Sequence, residues 1–166
     1  MTASRRHLPL VAVLVAAVIV VIGGRPHSAR PIGTTPGATG TATVTHVTDG
    51  DTVWLSTLGK VRLIGIDTPE VYGHVDCYGP QASAFTDRAL KPGTHVRYEI
   101  GRETHDVYGR TLAYLWLDNG RMFNELLAEN GYARTLTIPP NDEYARLFAA
   151  AAQSARAAGR GLWGDC

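Results

Sequence analysis

The chain has 166 residues, 45% of them apolar, and a formal net charge of +1. That length and apolar share support one domain of ordinary size whose core needs no special staples. Residues 1–40 hold Arg5, Arg6, Arg25 and Arg30 and no acid, which leaves 12 basic against 15 acidic residues in the remainder; a broadly basic domain is excluded, and any contact with nucleic acid must be made through a local site.

The first predicted element is a targeting segment. Residues 1–24 have a basic start and an apolar run from Leu8 to Ile22 with no polar face. The run lies near the lower limit of the roughly 17–25 residues that span a bilayer and also suits a long signal-peptide core. No small-x-small cleavage site stands out in "PHSAR", which favours an uncleaved signal anchor over a cleaved signal. Either reading exports the rest of the chain, held at the membrane with its domain outside or secreted after cleavage. Residues 25–42 are rich in Gly, Pro and Thr and are expected to be a flexible linker. The folded domain is expected over 43–166.

Strand patterns fill the first half of that domain. "TATVTHVTD" is β-branched and alternating, "DTVWLST" follows the Asp49-Gly50 turn, and "KVRLIGID" follows Leu58-Gly59. "GPQASAFTDRALK" reads as a helix with Pro80 in its first turn and an apolar stripe of Ala82, Phe85, Ala89 and Leu90. "THVRYEI" and "RTLAYLWL" are strands, the second closed by Asp118-Asn119-Gly120. "MFNELLAEN" is a helix stopped by Gly131. "NDEYARLFAAAAQSARAAG" is a last helix, expected to be capped by Asn141 or Asp142. A five-stranded meander with a helix between strands three and four is the OB-type barrel arrangement, here with three helices.

Cys77 and Cys166 are an even count in an exported chain, which suggests one disulfide. A metal site built on His74 and Cys77 is the alternative, without the paired ligands such sites use.

The charged positions on the strands are harder to explain by folding alone. Arg62 stands among Val61, Leu63, Ile64 and Ile66, and Arg110 opens a strand after a Tyr-Gly turn. Each is either an edge residue reaching water or half of a pair that holds one phosphate by planar, bidentate hydrogen bonds. Asp51, in "TDGDTV", and Asp67, at the end of the third strand, are either turn residues or two carboxylates of an oxygen-only Ca2+ site. Asp49 reads as turn chemistry. Strict alternation puts Arg62 and Asp67 on opposite faces of their strand, so a shared site requires a distortion, expected at Gly65. Glu70, on the loop after Pro69, is either a surface acid or a general base that takes a proton from water.

The motifs "DGDTV", "RLIGIDTPE", "YGPQASAF", "DVYGRTLAYLW", "NELLAENGYA" and "GLW" occur in this order between about residue 43 and residue 163. In them the chain resembles the thermonuclease, or staphylococcal nuclease-like, family. The resemblance implies an OB-type barrel and calcium-dependent cleavage of DNA and RNA that leaves 3′-phosphate ends. It implies phosphate-binding roles for Arg62 and Arg110 and a catalytic role for Glu70. It further implies calcium ligation by Asp51, Asp67 and the Thr68 carbonyl, and a phosphate contact for Tyr108. Val107 stands where the family carries a lysine, and the loop after Glu70 is short and lacks the family's lysines. "YARTLTIPPND" lacks the tyrosines on which a base would stack. Those departures predict weaker substrate affinity, since stacking contributes roughly 1–3 kcal/mol per base. The reading from another class is a nuclease-fold module that binds nucleic acid or protein at the cell surface without cutting.

Overall fold

The computed structural model describes residues 34–166. The expected signal anchor and the first half of the expected linker, residues 25–33, lie outside them. Among the described residues no helix is long and apolar enough to cross a membrane.

In chain order the elements are β1 Thr39–Val47, β2 Thr52–Leu55, β3 Gly59–Leu63, β4 Gly65–Asp67, α1 Gly79–Ala89, β5 His95–His105, β6 Thr111–Leu117, α2 Phe123–Glu129, β7 Arg134–Leu136, α3 Ala145–Ala157 and α4 Leu162–Asp165. Five strands close into a barrel in the order β1-β2-β3-β6-β5, and β4 pairs with β7 in a separate two-stranded sheet. This is the OB-type barrel expected from the strand pattern, with three longer helices and a four-residue α4. Closure is achieved by a parallel β3–β6 pairing, Val61 opposite Thr111, and an antiparallel β1–β5 pairing, Thr39 opposite Glu99. Full closure leaves no open sheet edge in the barrel.

Three sequence expectations need correction. The first strand begins at Thr39, two residues before the expected start at Thr41, because Thr39 to Thr43 pair with Glu99 to His95. The third strand is two strands. It breaks at Ile64, and Gly65 takes φ +83° before the chain resumes as β4 against β7. Only glycine reaches that conformation freely, and a Cβ there would run into the Phe148 ring. The last helix starts at Ala145, after Tyr144, with no side-chain cap. Asn141 is buried instead, with its amide accepting from Glu103 N at 3.0 Å and donating to Glu103 O at 2.9 Å. Asp142 pairs with Arg102. Both polar side chains are thus taken by β5 rather than by the helix.

The barrel core is formed by Val44, Val53, Val61, Leu63, Val96, Ile100 and Leu115, all essentially inaccessible. Outside it, α2 and α3 bury Phe123, Leu127 and Phe148. A buried Asn124 fixes α2 to the strands: its Oδ1 accepts from Leu115 N at 3.0 Å and its Nδ2 donates to Ile64 O at 2.9 Å. The second bond satisfies a carbonyl freed by the break between β3 and β4, as buried backbone groups require.

Candidate active site

The Asp49-Gly50-Asp51 turn is stabilised by Asp51 N donating to Asp49 Oδ1 at 3.1 Å, the self-capping geometry of aspartate in turns. It delivers the Asp51 carboxylate inward, where it is buried. Asp51 Oδ2 accepts from Thr68 N at 2.9 Å and Thr68 Oγ1 at 3.0 Å, and Oδ1 accepts from Thr52 Oγ1 at 3.2 Å. Arg62 Nε lies 3.0 Å from Asp51 Oδ1, with both side chains about nine-tenths buried.

Arg62 is the hub of this end of the barrel. Its Nη1 donates to Leu63 O at 2.6 Å and Ile66 O at 2.8 Å, and its Nη2 donates to Asp67 Oδ1 at 2.8 Å. The carbonyls are available because the chain turns between β3 and β4, and the same turn brings Asp67 to the arginine's side. Burial raises the Asp67 carboxyl pKa above its ordinary value; Arg62 opposes that rise, and the negative charge of Asp51 adds to it. Asp49 is raised in the same way, by burial and then by Asp51.

Arg110 is held by a second aspartate turn. Asp106 Oδ1 accepts from Tyr108 N at 3.0 Å and Arg110 N at 2.9 Å, and Asp106 Oδ2 lies 2.5 Å from Arg110 Nε. Burial alone would raise the Asp106 carboxyl, but the Arg110 backbone N–H and guanidinium outweigh it and hold the carboxyl below its usual value. Arg110 Nη1 reaches Thr52 Oγ1 at 3.4 Å, and Thr52 also bonds Asp51, so the two arginine clusters are linked through one hydroxyl. Tyr108 is 82% exposed, with the Arg110 guanidinium 5.5 Å from its ring centre.

Arg62 and Arg110 line one cavity of about 620 Å³, together with Tyr108 and apolar walls that include Ile66, Leu112, Leu136 and Ile138. Glu70 does not line it. Glu70 is exposed and lines a neighbouring cavity of about 320 Å³ with Asp67, Thr68, Asp76, Cys77 and Arg134. The Arg62–Asp67 hydrogen bond therefore connects the two cavities. The Glu70 loop is braced by Asp76, whose carboxylate accepts from Glu70 N at 3.2 Å and whose N–H donates to Glu70 O at 2.9 Å. Cys77 and Cys166 are joined by a disulfide that spans 89 positions.

The donor set here is hard oxygen only: Asp51, Asp67 and the Thr68 carbonyl, which accepts no hydrogen bond among the described residues. Two carboxylates, Asp51 and Asp67, face the single guanidinium of Arg62, which leaves one negative charge of this cluster without a cation beside it. The set fits a cation such as Ca2+. Among the described residues no three acidic, His or Cys side chains converge, so water or substrate oxygens would have to complete the shell.

The model of the staphylococcal nuclease homologue family matches residues 60–165. The chain is 44% identical over 126 residues to the thermonuclease of Staphylococcus intermedius, covering 72% of this chain and 74% of that protein. It is 41% identical over 128 residues to the thermonuclease of Staphylococcus hyicus, covering 74% and 75%. The chain belongs to the staphylococcal nuclease family. Endonuclease YhcR of Bacillus subtilis is 34% identical to it over 137 residues, 74% of this chain and 11% of the relative. This nuclease is a phosphodiester hydrolase acting on nucleic acid.

Several residues that shape the candidate site were missed in the sequence. Asp106 had a readable signal, an Asp two positions before a Tyr-Gly turn and four before Arg110. Asn124, Asn141 and Arg134 had none, because their partners are 60, 38 and more than 60 positions away.

Proposed function

We propose that the chain is an exported, calcium-dependent endonuclease that hydrolyses DNA or RNA, single strands in particular, to 3′-phosphate ends. Two buried-edge arginines lining one cavity beside paired carboxylates are the observation that carries this reading.

In the proposed reaction the scissile phosphate enters the larger cavity and meets Arg62 and Arg110. Arg110 offers its free Nη N–H groups and Arg62 its one remaining Nη2 N–H to phosphate oxygens, and both charges stabilise the charge that grows there during attack. Asp106 and Asp51 hold the two guanidiniums in place, so little reorganisation is needed at the moment of reaction. Asp51, Asp67 and the Thr68 carbonyl would hold Ca2+, which when bound supplies positive charge to the phosphate and helps orient water. Glu70 takes a proton from the attacking water as the water's oxygen bonds to phosphorus. The bond from phosphorus to the 5′ oxygen breaks, and that oxygen leaves with a proton drawn from solvent. Such a base is worth roughly 10²–10⁴ in rate. Tyr108, exposed at the rim, offers a hydroxyl to the phosphate.

The exposed aliphatic residues Val107, Leu136 and Ile138 on this rim provide apolar contact without aromatic stacking. Weak binding with intact chemistry follows, which is read as a high KM with an unimpaired kcat. The test is incubation of the protein with single-stranded DNA and with RNA, in calcium and then in chelator, with analysis of the end groups. Cleavage in calcium that stops in chelator and leaves 3′-phosphates supports the proposal; binding without cleavage supports the non-catalytic module.

A further inference from the structure

Arg134 stands directly opposite Asp67 in the β4–β7 pairing, so the sheet register ties it to the carboxylate cluster. It lines the Glu70 cavity, and it also lines a further cavity of about 340 Å³ with Thr135, Ala149, Ala152, Gln153, Arg156 and Trp163. The helical contributors, at 149, 152, 153 and 156, have the spacing of one face of α3. Small alanines in the first two turns leave room beside the indole.

Both arginines stack on that indole. The guanidinium carbon of Arg156 is 4.1 Å from the Trp163 ring centre and that of Arg134 is 5.1 Å from it. Neither makes a salt bridge or a side-chain hydrogen bond among the described residues, whereas Arg62, Arg102, Arg110 and Arg121 are all paired with carboxylates. Stacking on a ring face occupies the flat sides of a guanidinium and leaves its edge donors free. Trp163 Nε1 is buried and has no hydrogen-bond partner. Two exposed guanidiniums thus present their edge donors at one groove, both held there by the face of the same indole.

We infer that Arg134, Arg156 and Trp163 form a second anion subsite, which takes a phosphate of the nucleic-acid strand beyond the one being cleaved. The inference rests on the nuclease reading. Because Arg134 borders both cavities, a strand leaving the Glu70 loop passes directly to the groove. The subsite offsets, at a distance from the chemistry, the lysines missing around the reacting phosphate. It makes the enzyme favour longer strands over dinucleotides.

The test compares the full-length wild type with Arg156→Gln and Arg156→Lys. Binding of a ten-nucleotide oligothymidylate and of a dinucleotide is measured in chelator over a salt series. Each phosphate neutralised on a single strand contributes about 0.7 to the slope of log affinity against log salt. The expected result is a decamer slope smaller by about 0.7 in Arg156→Gln, restored in Arg156→Lys, with the dinucleotide slope the same in all three. An unchanged decamer slope in Arg156→Gln, or an equal loss for the dinucleotide, overturns the subsite. Separately, wild type that fails to cut the decamer in calcium sinks the nuclease reading and the subsite with it, whereas cutting with an unchanged slope sinks the subsite alone.

Discussion

Arg62 and Asp67 are hydrogen-bonded at 2.8 Å, although five positions of regular strand would point them to opposite faces. The break at Ile64 and the positive φ of Gly65 reverse that expectation. The site therefore depends on a backbone conformation that is itself held by Phe148 against Gly65 and by Asn124 on the Ile64 carbonyl.

Gly65→Ala is expected to disturb both. The alanine must adopt a left-handed φ and displace the Phe148 ring, and overpacking alone typically costs about 1–3 kcal/mol. Urea denaturation should show a loss of at least about 2 kcal/mol. Calcium affinity measured by calorimetry should fall with it, since Asp67 is re-aimed.

Arg62→Ala leaves Asp51 nine-tenths buried and without its cation. Breaking such a pair from one side costs about 3–5 kcal/mol. Denaturation in chelator should show a loss in that range, and added calcium should recover part of it by occupying the same carboxylates. Arg62→Lys keeps a charge but not the fork that reaches Asp51, Asp67 and two carbonyls, so it is expected to fold and to cleave poorly.

Acid sensitivity follows from Asp106. Its folded pKa lies below the ordinary carboxylate value of about 3.9, so its contribution is fully present above about pH 4. The contribution is lost as pH falls further through the folded value. Asp106→Asn should be less stable than wild type at pH 6, and the gap should narrow below pH 4 in urea melts. The same variant loosens Arg110, so its kcat on single-stranded DNA should fall by about tenfold or more.

The barrel was legible in the sequence because its strands alternate and its turns carry Asn, Asp and Gly. Arg62 and Arg110 stood out as charges on apolar strands and Asp51 and Asp67 as acids at a turn and a strand end, but their proposed roles came from the motifs shared with the nuclease family. Two kinds of feature were not. The distortion at Gly65 was expected, but the pairing of Gly65 to Asp67 with Arg134 to Leu136, about 70 positions later, makes a separate strand that no local pattern encodes. The late start of α3 depends on the backbone of Glu103 taking the side chain of Asn141, a contact that outcompetes the cap a local reading prefers.

Removal of the disulfide tests how the Glu70 loop is held. Cys77 borders the Glu70 cavity and its partner is the final residue, 89 positions away. The chain-entropy model sets a ceiling of about 4–5 kcal/mol for a loop of this size. Cys166→Ser should lower the thermal midpoint in calorimetry, and should reduce kcat more than it raises KM, because the loop it releases carries the proposed base.

The most direct measurement is the calcium-dependent cleavage rate of single-stranded DNA by the wild type and Glu70→Gln under saturating substrate. Glutamine keeps the size and exposure of the side chain and removes only its ability to accept the water's proton. The expected result is a fall in kcat of about 10²–10⁴ with little change in KM. A Glu70→Gln enzyme that cuts at the wild-type rate would contradict it.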